Sequence, residues 1–190
     1  MAQAYQESTL NQSVVSRRGA VGIMQVLPST ASEWYINLSS VSDLDNNVHA
    51  GTKYMRYMID SFFSDPQISN SDRLLFALAS YNSGPSRITR YRMEAREAGL
   101  KDYVWFNNVE RIAAKHNALE TVNYVKNISQ FYISYTKAYE LLDGKSKKNR
   151  SSSQDIVKQV EITDGKGIAK SETSDTEKND KKKGDKKKKK

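Results

Sequence analysis

The sequence predicts an all-α domain over residues 1–143, followed by a disordered Lys-rich tail over 144–190. Three observations carry this. Apolar residues recur at helical intervals in several segments, and no segment sustains the apolar/polar alternation of a strand. Tyr, Phe, Leu, Ile and Met are frequent before Leu142 and scarce after it, so the core lies in the first part of the chain. Charge breaks at the same place: residues 1–144 hold 14 Lys+Arg and 14 Asp+Glu, whereas residues 145–190 hold 16 and 8, so the formal +8 belongs to the tail.

Taken in order, the first helical stretch reaches Glu7 within a few residues of the chain start, and a helix that short is marginal without earlier turns. The chain is therefore expected to be a fragment whose export signal, if any, lay upstream. Residues 11–29 mix Asn, Ser, Gly19, Gly22 and Pro28, which predicts an irregular loop and a helix starting near Pro28. Val48, Tyr54, Met55, Met58, Ile59 and Phe62 mark a helix between Asp45 and Phe63. Leu74, Leu75, Leu78 and Ala79 mark the next, with Ser71-Asp72 as its expected cap and Asn82-Ser83-Gly84-Pro85 as its end. Val122, Val125, Ile128, Tyr132, Ile133 and Tyr139 form one broad stripe on the last helix, Leu119 to Leu142. From Lys145 on, Ser, Lys, Asp and Gly dominate, and that composition buries too little apolar area to offset chain entropy.

Several chemistries are excluded. With no cysteine there is neither a disulfide nor a thiolate metal site. No apolar run approaches the length of a membrane-spanning helix. His49 and His116 stand without a second ligand at metal spacing, so packing or surface roles are expected for both. No phosphate-cradling glycine loop or Ser-His-Asp order is visible.

What remains is a small set of polar residues at helix ends. Glu7 follows an apolar stretch and precedes a Ser/Asn-rich loop; half-buried there, its carboxyl would have a raised pKa and serve as a general acid, the plainer alternative being a solvated helix Glu. Gln25 is the one polar residue within Ile23-Met24-Gln25-Val26-Leu27, where its side chain can hydrogen-bond a substrate amide or sugar hydroxyl. Tyr81-Asn82 ends a helix and Glu120 opens one, and capping is the plainer role for Asn82 and Glu120. Gly51 inside a helical run costs about 1 kcal/mol against Ala, which points to close helix packing.

The order of these residues resembles the soluble lytic transglycosylase (SLT) domain family. Tyr5-Gln6-Glu7-Ser8 with Asn11 and Ser16 is similar to its first motif, and the run from Gly19 through Gly22-Ile23-Met24-Gln25 to Ala31 to its second. Ala77-Leu78-Ala79-Ser80-Tyr81-Asn82-Ser83-Gly84 is similar to the third, and Glu120-Thr121-Val122-Asn123-Tyr124-Val125 to the fourth. Ile23 and Ser83 depart from the residues common in the family, Leu and Ala. The insertion from Thr89 to Lys115 and the aromatic last helix resemble the membrane-bound F subfamily, in which a solute-binding-like domain precedes this one.

The resemblance implies a lysozyme-like fold with a glycan-binding cleft, and cleavage of the β-1,4 bond between N-acetylmuramic acid and N-acetylglucosamine with formation of 1,6-anhydro ends. It implies Glu7 as the single acid/base. Ser16 and Gln25 would meet sugar groups, Tyr81 would orient Glu7, Asn82 would shape the cleft floor, and Glu120 and Tyr124 would stand around the acid. No metal or organic cofactor is implied. The expected partner is the peptidoglycan glycan strand, in the periplasm or on the periplasmic face of the outer membrane, with weak electrostatic contact of the tail to anionic wall or membrane. Two rival readings are a goose-type lysozyme hydrolysing the same bond and a non-catalytic peptidoglycan-binding module, the latter opposed by the presence of Glu7, Gln25 and Tyr81. Specific nucleic-acid binding is not expected, because the domain is neutral and the tail lacks interleaved aromatics.

Overall fold

A computed structural model describes residues 1–164, with side chains as far as Asp143. Its α-helices are α1 (Ala2–Ser8), α2 (Pro28–Ala31), α3 (Leu44–Phe62), α4 (Asn70–Ser83), α5 (Pro85–Glu97), α6 (Glu110–Lys115) and α7 (Leu119–Asp164). Among the described residues there is no strand; Val15 with Val21 and Val21 with Val26 make only isolated antiparallel bridges. The all-α expectation holds. The chain divides into two compact units, Met1–Leu141 and Leu142–Lys190. Backbone of the second unit is helical to Asp164, past the Gly144 boundary drawn from composition. No proline interrupts 119–164, so nothing in the covalent chain forces an earlier stop. The rest of the basic tail lies outside the described residues.

Local chemistry sets the helix ends. Asp43 caps α3, its carboxylate accepting from Asn46 N. α4 starts two residues earlier than expected, because Ser69 and not Ser71 is the cap: Ser69 Oγ accepts from Asp72 N at 3.0 Å and donates to Asp72 Oδ2 at 2.7 Å. The other oxygen of Asp72 accepts from Trp105 N at 3.0 Å, tying α4 to the irregular turn Trp105–Val109. α4 ends at Gly84, and Pro85 opens α5 where its missing N–H costs nothing.

The larger core gathers Met58, Phe63, Ile68, Phe76, Ile88, Trp105, Val109 and Val125, all but closed to solvent. Phe76 sits at its middle, stacked on Phe63 with centroids 5.4 Å apart, met edge-on by Trp105 at 6.0 Å, and covered by the Arg92 guanidinium at 5.4 Å. Arg92 and Arg96 both pair with Asp102 within the Thr89–Lys115 stretch, and Arg92 ties that stretch to the core through its place over Phe76 and its pair with Asp65 at 3.8 Å. On α7 the expected stripe is only half realised: Val125 and Ile128 are buried, while Tyr132, Ile133 and Tyr139 are exposed. α1 compensates for its shortness by tertiary contact, with Ala4 buried and the Tyr5 ring edge-on to Phe131 at 4.9 Å.

A second, smaller cluster of Met24, Val26, Ala31, Ile36, Val41 and Ala50 lies under the 11–29 loop. Gly51 permits it: a Cβ there would stand 2.9 Å from Met24 Cβ and Cε. The loop therefore rests on the α3 backbone, as the glycine inside that helix led us to expect.

Phe76→Ala should cost about 3–5 kcal/mol, through lost transfer energy and the cavity left between Phe63 and Trp105. A lowered urea midpoint with unchanged m-value is the expected observation; a loss below 1 kcal/mol would show that this ring is not central.

Candidate active site

Glu7 is the next-to-last residue of α1, whose C-terminal end is fixed by Ser8. The buried Ser8 hydroxyl donates to Ile23 O at 3.0 Å and accepts from Asn11 N at 3.1 Å, which locks the helix end to the loop. From the far end of the domain, α7 brings Tyr124, 5% exposed, whose hydroxyl donates to Glu7 Oε1. Gln3 Nε2 donates in turn to the Tyr124 oxygen at 3.4 Å. Burial pushes the Glu7 carboxyl up to about 7 from 4.5, against the opposing pull of the Tyr124 hydrogen bond. Burial and the nearby Glu7 charge hold both the Tyr124 and the Tyr81 hydroxyls well above the usual tyrosine range, so both remain donors.

The floor beside the acid is the 12–26 loop, and one side chain organises it. Asn47, in the first turns of α3 and closed to solvent, accepts from Met24 N at 2.8 Å and donates to Val21 O at 2.8 Å and Val41 O at 2.9 Å. Gln12 adds a second clamp, accepting from Ile23 N at 2.9 Å and donating to Ser42 O at 3.0 Å. Gly22 passes between the two amides with φ +79°; a Cβ there would lie 2.4 Å from Asn47 Nδ2 and 2.6 Å from Gln12 Nε2. Only glycine fits. Met24 O, so positioned, accepts from Tyr81 Oη at 2.8 Å.

The structure sorts the remaining sequence candidates. Tyr81 stands close enough to Glu7 to feel its charge, but its hydroxyl goes to Met24 O; Tyr124 makes the hydrogen bond to the acid. Gln25, left-handed at φ 49°, donates through Nε2 to Gly22 O at 2.8 Å and Val14 O at 3.1 Å, so its amide nitrogen shapes the loop. Ser16 Oγ accepts from Ala20 N at 3.0 Å within the same loop. Asn82 does not cap α4. It accepts from Thr121 Oγ1 at 2.7 Å and donates to Glu120 Oε1 at 3.5 Å, joining the end of α4 to the start of α7. Glu120 itself is exposed in the first turn of α7.

Asn47, Gln12, Thr121 and Gln3 escaped the sequence reading. For Asn47 a signal existed: it falls one turn before Ala50 and Gly51 on the apolar face of α3, where a polar side chain needs a buried partner. Gln12 and Gln3 carry no comparable mark. His116 packs against Tyr91 with centroids 5.2 Å apart and pairs with Glu94, while His49 is exposed. Among the described residues no group of three or more His, Asp or Glu is placed to hold a metal ion, and no helix is long and apolar enough to cross a membrane.

Fold and site together define an α-helical domain built around one half-buried carboxyl, approached by the half-buried Tyr81 from α4 and the buried Tyr124 from α7. Residues 1–104 match the family model described as Transglycosylase SLT domain, and the chain belongs to that family. Similar curated proteins include the membrane-bound lytic murein transglycosylase F of Alteromonas mediterranea, 27% identical over 69% of this chain and 30% of that protein. Another is the soluble lytic murein transglycosylase of Escherichia coli, 34% identical over 67% of this chain and 19% of that protein. The F protein of Pseudomonas fluorescens is 31% identical over 69% of this chain and 29% of its own length. The chain thus spans less than a third of these three relatives.

Two expectations follow from the site's energetics. The neutral Glu7 carboxyl is the form the fold prefers, so its contribution is full below pH 4.5 and is lost as pH rises to about 7. Glu7→Gln stays neutral, so its Tm should match wild type near pH 4 and exceed it at pH 8, by up to roughly 3 kcal/mol of stability. A gap that does not widen with pH would refute the raised pKa. Asn47→Leu strands three backbone groups at about 1–3 kcal/mol each, so chemical denaturation should show a loss of at least about 3 kcal/mol.

Proposed function

We propose that residues 1–143 cleave the β-1,4 bond between N-acetylmuramic acid and N-acetylglucosamine in peptidoglycan, with Glu7 as the single acid/base and 1,6-anhydro ends as product. The observation that carries this reading is the Glu7 carboxyl itself: half-buried beside Tyr124, on a chain of the SLT family, with its pKa raised to about 7. At that value the protonated and ionised forms are both populated near neutrality, which suits a group that must give a proton and then take one.

The protonated Glu7 gives its proton to the glycosidic oxygen as the bond from that oxygen to the muramic C1 breaks. The C6 oxygen of the same sugar attacks C1, and its proton passes to the Glu7 carboxylate, which restores the starting state. Water takes no part. Glycoside hydrolysis ordinarily uses two carboxyl groups. In this reading the internal C6 hydroxyl takes the place of the second carboxyl. Tyr124 holds the carboxyl in place, Tyr81 supports the loop through Met24, and Asn82 with Glu120 lines the junction of α4 and α7. The Gln25 amide oxygen and the Ser16 hydroxyl would meet sugar N-acetyl and hydroxyl groups. We assign this reaction to the cell envelope, in the periplasm or on the periplasmic face of the outer membrane, a reading supported by the likeness to membrane-bound and soluble murein transglycosylases.

Glu7→Gln should keep glycan binding and lose at least 10²–10⁴-fold in cleavage of purified sacculi, because general acid/base assistance is worth about that much. Mass spectrometry of the wild-type products should show 1,6-anhydro ends; reducing ends would replace the lyase reading with hydrolysis. Tyr124→Phe removes the bond that lowers the Glu7 pKa, so the alkaline limb of its pH–rate profile should move upward from about 7. Tyr81→Phe should cost less than Glu7→Gln, since it leaves the acid in place.

A further inference from the structure

Trp34 is 81% exposed, whereas the second tryptophan of the chain, Trp105, is fully buried. So much open indole has no role in the core beneath it. Nor is it isolated. Trp34 meets Tyr35 edge-on at 5.6 Å and Tyr57 at 6.4 Å, and Tyr35 and Tyr57 lie face to face with centroids 3.6 Å apart and planes 5° from parallel. Tyr35 stacks in turn on Tyr54 at 6.4 Å, and Tyr54 touches Tyr81 at 5.4 Å. Tyr81 is the ring that feels the Glu7 charge. An unbroken series of aromatic contacts thus runs from the acid pocket to an exposed indole.

The backbone under this patch is held by several hydrogen bonds. Ile36 N and Asn37 N both donate to Glu33 O, Leu38 N donates to Ala31 O, and Lys53 Nζ reaches across from α3 to Ile36 O at 2.8 Å. Ile36 is fully buried and anchors the turn in the smaller core. A ligand would therefore order little on binding, the condition under which a few ring contacts give measurable affinity.

We propose that Trp34, braced edge-on by the mutually stacked Tyr35 and Tyr57, offers its open indole face as a sugar-stacking platform that holds an N-acetylhexosamine ring of the glycan strand remote from the cleaved bond, on the α2–α3 side. An aromatic face packs on the C–H face of a pyranose, and tyrosine hydroxyls answer its rim of hydroxyls, which is the amphipathic match such rings provide. The occupant is a sugar because the platform is continuous, through Tyr54 and Tyr81, with the site assigned to the same strand; the proposal rests on that assignment.

The two tryptophans make the test direct. With Trp105 closed to solvent, acrylamide quenching of the full chain reports Trp34. A soluble hexamer of β-1,4-linked N-acetylglucosamine should protect Trp34 in the Glu7→Gln protein, and the dimer should not. Trp34→Ala, with unchanged Tm because the side chain is exposed, should weaken hexamer binding by calorimetry up to about tenfold. On sacculi its loss should appear in KM and not in kcat, and Trp34→Phe should recover part of it. Hexamer binding that leaves Trp34 open to acrylamide would overturn the platform while leaving the cleavage reading intact. Wild type that protects Trp34 yet releases no anhydro ends would overturn the cleavage reading and keep the platform. Protection by vesicles of phosphatidylethanolamine and phosphatidylglycerol, with none by the hexamer, would reassign the patch to a lipid surface and overturn the proposal.

Discussion

The amide of Asn47 is the constraint on which the rest of the site depends. It is fully buried, and three of its hydrogen-bonding positions are spent on backbone of two separate stretches, Val21–Met24 and Val41. An unmade hydrogen bond at such depth costs more than a made one gains, so the amide fixes one loop conformation among many. Gly22 is the complement to that choice, since any Cβ would enter the space the Asn47 and Gln12 amides occupy. From the loop, order passes outward by single bonds: Ser8 to Ile23 O fixes the end of α1, and Tyr81 to Met24 O fixes the end of α4.

The acid is thereby held from three directions by residues far apart in the chain. α1 carries Glu7, α4 presents Tyr81, and α7 supplies Tyr124, 117 residues away from its partner. None of these helices could build the pocket alone. α1 is two turns long and gains its stability from Ala4 and Tyr5 packing, so the position of Glu7 is a property of the assembled domain. In the proposed reaction this matters because a carboxyl displaced by one ångström loses its line to the glycosidic oxygen.

Much of the fold was legible because helical periodicity and end signals are local. The breaks at Pro28 and at Gly84-Pro85 fell where those residues demand them, and Gly51 correctly announced a close approach. The stripe on α7 misled beyond Ile128: the pattern of Tyr132, Ile133 and Tyr139 is helical, but periodicity does not say whether another element covers the face. Glu7 was legible as a candidate from its position between an apolar helix and a polar loop. Its hydrogen-bond partner was not, because pairing of residues 7 and 124 is decided by how α1 and α7 pack. The resemblance gives Tyr81 the task of orienting Glu7, but its hydroxyl goes to Met24 O, and it is Tyr124 that meets the acid. Gln25 reads as a ligand-binding amide, and the loop takes its nitrogen for itself.

The two influences on Glu7 oppose each other, and their balance sets what the carboxyl can do. Burial favours the neutral acid, which makes a better proton donor and a poorer acceptor. A hydrogen bond from Tyr124 stabilises the charged form and offsets part of that penalty, while burial remains the larger effect and the net value stays near 7. Burial likewise raises the tyrosine, so the phenol keeps its proton and remains a donor in both states of the acid. A charged partner such as lysine in its place would lower the carboxyl further and abolish the acid form at neutral pH. A neutral, buried hydroxyl is therefore the group that lets one carboxyl serve on both sides of a proton transfer.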